Sequence, residues 1–268
     1  MLVKNGVVQM LSMHFSRLHQ SCTRLRIKNV PFAKARQAIK DYCTKEFNQT
    51  GESVFVLKIL VSRGSGGRGY QVPSDEQCEP QIYLVRSPYP KHYDLWQQKG
   101  IRLGVSDIKL GINPTLAGMK HCNRLEQVMV KQAMPNHVED VVVLDVNNHI
   151  VECSASNIFW YKQGIWYTPS LTGSGVNGVM RQCVLAHIAD KDCDFEYAEA
   201  GLSTLFESES AIICNSLTGP IVVNEIDFGT EQIRRQGQGA NVVKLDSAKA
   251  IELCESVREE LMSLHDGD

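Results

Sequence analysis

Three stretches of this chain put reactive residue types where chemistry could use them. Lys120 lies in LAGMKHCNRLEQ, among apolar and small residues just ahead of a helix-like pattern. A partly desolvated lysine deprotonates more easily and can act as a nucleophile. An ordinary solvated surface lysine is the competing account. Glu152, in VECSASNIFW, interrupts a strand-like run, where a carboxylate is costly unless partnered. It is either a functional acid or an edge-strand glutamate facing water. In TGSGVNGVMR, glycines let the backbone come close to a ligand and a helix then starts, so the amides of Val179 and Met180 could face a phosphate. A plain glycine-rich loop before a helix fits the same letters.

A second glycine-rich stretch, RGSGGRGY, carries Arg63 and Arg68. It lacks the GxxxxGK[ST] pattern of a nucleotide cradle and joins two strands instead of opening a helix. It reads as a hairpin loop, or as a place where two guanidinium groups meet a carboxylate-bearing substrate. The nine cysteines are scattered without a CxxC pair, which points to reduced thiols in the cytoplasm. The eight histidines form neither HxxxH nor HExxH, so no metal is expected. His14, His121 and His149 read as structural, and with no serine in a GxSxG elbow a hydrolase triad has no support. A formal charge of -2 supplies no basic field for nucleic acid. No apolar run is long enough for a membrane span, and the amino terminus lacks a secretory pattern.

The elements that must position these residues follow from periodicity. Leu11, Phe15, Leu18, Cys22 and Leu25 recur at helical spacing, and a second helix begins at Pro31 and carries Ala35, Ile39 and Cys43. VFVLKILVSR from Val54 and IYLVRS from Ile82 predict an antiparallel pair. The proline-rich SPYPKHY predicts a link between two domains, 1–90 and 91–268. Beyond it the pattern predicts a strand from Ile101 and a helix bearing Leu125, Val128 and Met129. Residues 140–168 predict an antiparallel meander with turns at NNH and QG. A helix from Asn177 or Gly178, strands DFEYAE and SAIICNS, a polar loop GTEQIRRQGQGANVV and a terminal helix through Ile251, Cys254, Val257 and Leu261 complete an α+β chain.

Four segments in order, MHFSRLHQS, AGMKHCNRLEQV, DVNNHIVECSASNIFW and TPSLTGSGVNGVMR, resemble the fold-type IV pyridoxal-phosphate enzymes. That family includes branched-chain aminotransferases, D-amino-acid aminotransferases and 4-amino-4-deoxychorismate lyases. RGSGGRGY, NPTLAGMKHCNRLEQ and GVNGVMRQ look like the lyase branch. The resemblance implies a D-amino-acid aminotransferase-like α+β fold. Its small N-terminal α/β domain (1–90) is shortened of the family's opening strands, and its larger, mixed-sheet, barrel-like domain (91–268) binds pyridoxal 5'-phosphate.

By the same resemblance Lys120 holds the cofactor covalently and serves as catalytic base. Arg17 pairs with the phosphate, joined by the amides of Val179 and Met180 and the Ser216 hydroxyl. Glu152 bonds the pyridine nitrogen and Asn157 supports the site. Arg63, Arg68 and Arg181 become candidates for the substrate carboxylates, with Asn113 and Tyr70 behind them, while Arg124 holds the helix after the lysine. The implied protein is a cytoplasmic homodimer that converts 4-amino-4-deoxychorismate to 4-aminobenzoate and pyruvate in folate biosynthesis. The alternatives are a fold-type IV aminotransferase, or a shortened cofactor-binding protein with little activity.

Overall fold

A computed structural model describes residues 1–229 and 242–263. The chain divides into two compact units, Met1–Pro90 and Lys91–Asp268.

In the first unit, β1 (Leu2–Lys4) and β2 (Val7–Val8) form a hairpin. Its turn, Asn5-Gly6, has positive φ at both residues (48° and 78°), the geometry that matches strand twist in a two-residue turn. β3 (Val54–Ser62) pairs with β1 on one side and with β4 (Gln81–Pro88) on the other, giving the order β2-β1-β3-β4. Two helices pack on this sheet, α1 (Leu11–Arg24) and α2 (Phe32–Thr50). Phe15, Ile39 and Cys43 meet Val3, Phe55 and Leu57 in its core. α2 stops at Gly51, whose φ of 68° supplies the left-handed cap that an L side chain resists.

The second unit is built on a nine-stranded mixed sheet that curls into half a barrel. Its strands are β5 (Ile101–Val105), β6 (Asp140–Leu144), β7 (Ile150–Cys153), β8 (Asn157–Lys162) and β9 (Ile165–Pro169). β10 (Phe195–Ala198), β11 (Ser210–Asn215), β12 (Gly219–Asp227) and β13 (Val242–Lys244) follow. The spatial order is β10-β9-β8-β11-β12-β5-β6-β7, with β13 against β12. Among the described residues five helices accompany the sheet: α3 (His92–Lys99), α4 (Leu125–Ala133), α5 (Val179–Asp190), the single turn α6 (Ser203–Phe206) and α7 (Ala248–Ser263). Near-continuous apolar runs in β6, β8 and β11 reflect strands covered on both faces.

Several expectations need correction. Ser87 and Pro88 still belong to β4, and a helix starts at His92, so of the link predicted over residues 87–93 only 89–91 lie between elements. Pro88 is tolerated because β4 is an edge strand. Residues 140–168 are not one meander: β7 ends the sheet, and β8 pairs instead with β11 and β9. β12 was not anticipated, although at nine residues it equals β3 as the longest described strand. Of the predicted polar loop, Val242 and Val243 form part of β13, and residues 230–241 lie outside the described residues. The apolar residues expected to seat α4 face outward: Leu125 is 70% and Val128 59% exposed, and Val130 is its buried residue.

Candidate active site

Glu152 sits in the middle of β7, the last strand of the sheet. An edge position would ordinarily leave it in water, but it is only 6% exposed. The Val176 amide donates to its Oε2 at 2.8 Å, Gln127 Nε2 approaches Oε1 at 3.5 Å, and Arg124 Nη2 stands 3.8 Å from Oε1. Burial pushes the Glu152 carboxyl upward, and Arg124 is the strongest influence holding it down, ahead of the Val176 amide and Lys120. A carboxylate in such a place keeps its charge only through these neighbours.

The loop carrying Lys120 is pinned to the glycine-rich loop that covers Glu152. Asn113 N donates to Gly173 O at 2.7 Å, Gly118 N to Gly175 O at 3.0 Å, and Asn177 N to Gly118 O at 3.0 Å. Gly118 and Gly175 have φ of 77° and 83°. A Cβ at Gly175 would come within 2.7 Å of Val151 Cγ1 and 3.4 Å of Glu152 Oε2, so these crossings need glycine. Lys120 itself is exposed in the chain while Ala117 and Met119 take the buried positions. The apolar context read from the sequence belongs to its neighbours, and the chain alone does not desolvate this lysine.

The same loop runs into α5, whose first residue is Val179. Gly178 is its cap residue and no side chain caps the helix. The first amides of a helix have no intrahelical acceptor, so those at Val179 and Met180 start the helix without a side-chain oxygen in front of them. Asn157, the first residue of β8, donates through Nδ2 to Val176 O at 2.8 Å. Its Oδ1 lies where a Cβ on Gly178 would be, at 2.2 Å. Asn157 thus fixes the approach to α5. Ser216 follows Asn215 in the turn between β11 and β12, and Asn215 reaches back to Ser156 Oγ at 3.1 Å, next to Asn157. Lys120, Glu152, Val179, Met180 and Ser216 therefore belong to one unit, with the first four on loops and elements bonded to each other.

Arg17 lies in α1 of the first unit. Its guanidinium is half-buried, and burial lowers its proton affinity. Arg63 and Arg181 are already engaged by their own units. Arg63 donates to the carbonyls of Arg26, at 2.7 Å, and Leu25, closing the end of α1. Arg181, 5% exposed, donates to Asn177 Oδ1 at 3.0 Å and Pro169 O at 2.9 Å, and its guanidinium lies over the Tyr197 ring. Arg68 and Tyr70 are exposed on the loop after β3. Sequence reasoning missed Gln127 and the Val176 amide. Gln127 was signalled by its place three residues after Arg124, which puts the two on one helix face.

Among the described residues no helix is long and apolar enough to cross a membrane, and no cluster of three metal-ligating side chains occurs. None of the nine cysteines is in a disulfide; burial drives the Cys153 thiol upward and that of Cys254 to about 12.

Known proteins share sequence and fold with this chain. The family model described as Amino-transferase class IV matches residues 1–226. The chain is 35% identical to an aminodeoxychorismate lyase of Vibrio harveyi over 244 residues, covering 88% of this chain and 87% of that protein. The solved 4-amino-4-deoxychorismate lyase of Pseudomonas aeruginosa superposes with a TM-score of 0.83 at 29% identity, over 97% of this chain and 88% of that one. A hypothetical aminotransferase of Mycobacterium tuberculosis, solved in a PLP-bound form, matches at 0.77 with 18% identity over 98% and 87% of the chains, a likeness of fold. With the model spanning both units and the fold shared throughout, this chain belongs to the amino-transferase class IV family.

Proposed function

We propose that this protein is a pyridoxal-5'-phosphate-dependent lyase that converts 4-amino-4-deoxychorismate to 4-aminobenzoate and pyruvate, a step that supplies 4-aminobenzoate for folate biosynthesis. The observation that carries the reading is the main-chain bonding of the Lys120 loop to the glycine-rich loop that covers Glu152 and opens α5. The choice of a lyase over an aminotransferase rests on similarity to the Vibrio protein along most of the chain.

The residues fit the cofactor. A lysine, a buried carboxylate suited to a pyridine nitrogen, and a helix start whose cap is a glycine without room for a Cβ are the donor set it needs. Lys120 would hold it covalently, Glu152 its ring nitrogen, and the amides of Val179 and Met180 with Ser216 its phosphate. Arg17 is assigned to the phosphate by resemblance of its helix to the family. When bound, the cofactor supplies an electron sink for charge left on a carbon that loses a proton. Lys120 Nζ, freed by the incoming substrate amine, takes the proton from the carbon bearing that amine. The bond from the ring to the enolpyruvyl oxygen breaks, a proton reaches the enolpyruvyl methylene carbon to give pyruvate, and the ring becomes aromatic. No oxidant and no amino acceptor is consumed.

Arg63 and Arg181 we reassign from substrate binding to positioning, since each already bonds main-chain carbonyls. Arg68 is left as the arginine for a substrate carboxylate. The outward Leu125, Val128 and Met129 of α4 support a homodimer, and scattered cysteines outside any disulfide support a cytoplasmic setting.

Purified protein loaded with cofactor is expected to release pyruvate and fluorescent 4-aminobenzoate in equal amounts without added 2-oxo acid. A bound-cofactor absorbance band with turnover only when an amino acid and a 2-oxo acid are supplied would overturn the lyase in favour of an aminotransferase. Arg17→Ala is expected to weaken cofactor binding by about 1.5–3 kcal/mol, the worth of a charged hydrogen bond, or roughly 10- to 150-fold in Kd. Equilibrium titration of cofactor-free protein checks this, and an unchanged Kd removes Arg17 from the site.

A further inference from the structure

Two side chains of one helix turn converge on a single oxygen of Glu152. Arg124, the cap residue of α4, brings Nη2 to 3.8 Å from Oε1, and Gln127 brings Nε2 to 3.5 Å from the same atom. Oε2 is taken separately by the Val176 amide at 2.8 Å. The other titratable groups acting on this carboxylate are Lys120 and, next in β7, the Cys153 thiol, which burial keeps protonated. Glu126, the other acid beside Arg124, is turned away and accepts from Gly111 N at 2.9 Å.

We propose that Arg124 and Gln127 are positioning residues for Glu152, holding its carboxylate as an oriented anion toward the pyridine nitrogen. The role rests on the reading of this site as a pyridoxal-phosphate site.

The argument is one of charge in a confined place. Burial favours the neutral acid, and the cations opposing it are Arg124 and Lys120. Lys120 is committed to the cofactor in the loaded protein, so Arg124 is the cation that stays with Glu152. Arg124 and Gln127 also line a pocket of about 340 Å³, together with Asn113, His121 and Ser174. Into its walls are set two buried polar atoms without a protein partner, His121 Nδ1 and Gln127 Oε1, the kind of group that ordered water serves. His121 cannot substitute for Arg124, because burial, Arg124 and Lys120 all lower its proton affinity.

The test follows Glu152 directly. In cofactor-free protein, carbon-13 NMR of glutamate side-chain carboxyls, with Glu152→Gln to assign the signal, gives its titration midpoint. Arg124→Gln is expected to raise that midpoint by about one pH unit or more, and Arg124→Lys, which keeps the charge on a shorter reach, by less. In loaded protein the pH at which the bound-cofactor absorbance changes is expected to move in the same direction. An unchanged midpoint in folded Arg124→Gln and in Arg124→Lys overturns the proposal. A raised midpoint in cofactor-free protein with no change in loaded-protein absorbance instead overturns the placement of Glu152 at the pyridine nitrogen.

Discussion

Lys120→Ala is expected to lower turnover of 4-amino-4-deoxychorismate by about 10³-fold or more, because it removes both the covalent anchor and the base at the reacting carbon. The variant should fold normally. Lys120 is exposed in the chain, and the bonds that pin its loop run through the main chain of Asn113, Gly118 and Asn177. Dialysis should then strip the cofactor and its visible band from the variant while the parent keeps both. Retention of the band after dialysis would show that another lysine holds the cofactor and would remove Lys120 from the centre of the site.

Gly178→Ala carries the second large effect. A Cβ there would stand 2.2 Å from Asn157 Oδ1, so the asparagine must move and the buried bond from its Nδ2 to Val176 O is lost. Overpacking costs roughly 1–3 kcal/mol, and a buried carbonyl left without its donor about 1–3 kcal/mol more. Thermal or denaturant unfolding of the cofactor-free variant is expected to report a loss in the range of about 2–6 kcal/mol. Cofactor affinity should fall as well, since the same movement disturbs the entry to α5. Pairing the change with Asn157→Ser, which shortens the offending side chain, should recover part of the stability. No recovery in the double variant would mean that the strain lies elsewhere in the loop.

How far the sequence reached depends on how local each signal was. α1 and α2 were legible because one apolar stripe in each, Leu11 and Phe15 in the first and Ala35, Ile39 and Cys43 in the second, faces one core. The start of α5 was legible from its glycines. β12 was not: it follows β11 across a short turn, but it also pairs in parallel with β5 from a distant part of the chain, and partner choice leaves little trace in a window of a few residues. At the site, Lys120 and Glu152 stood out as charged residues in apolar runs. The sequence did not show that Glu152, on an edge strand, is sealed by a loop from residues 171–176, nor that Gln127 reaches it from α4. Arg63 and Arg181 were singled out for their charge. In the fold Arg63 bonds the carbonyls of Arg26 and Leu25, and Arg181 bonds Pro169 O and the Asn177 side chain, contacts that no spacing in the sequence announces.

The three main-chain bonds between residues 113–118 and 173–177 also bear on the thermodynamics of loading. Freezing a backbone residue costs about 1–2 kcal/mol in lost conformational freedom. Here that ordering is completed when the chain folds, before any ligand arrives. Cofactor uptake by these loops should therefore resemble a docking event, with a small heat-capacity change and little gain in amide protection from hydrogen exchange across residues 113–118 and 173–177.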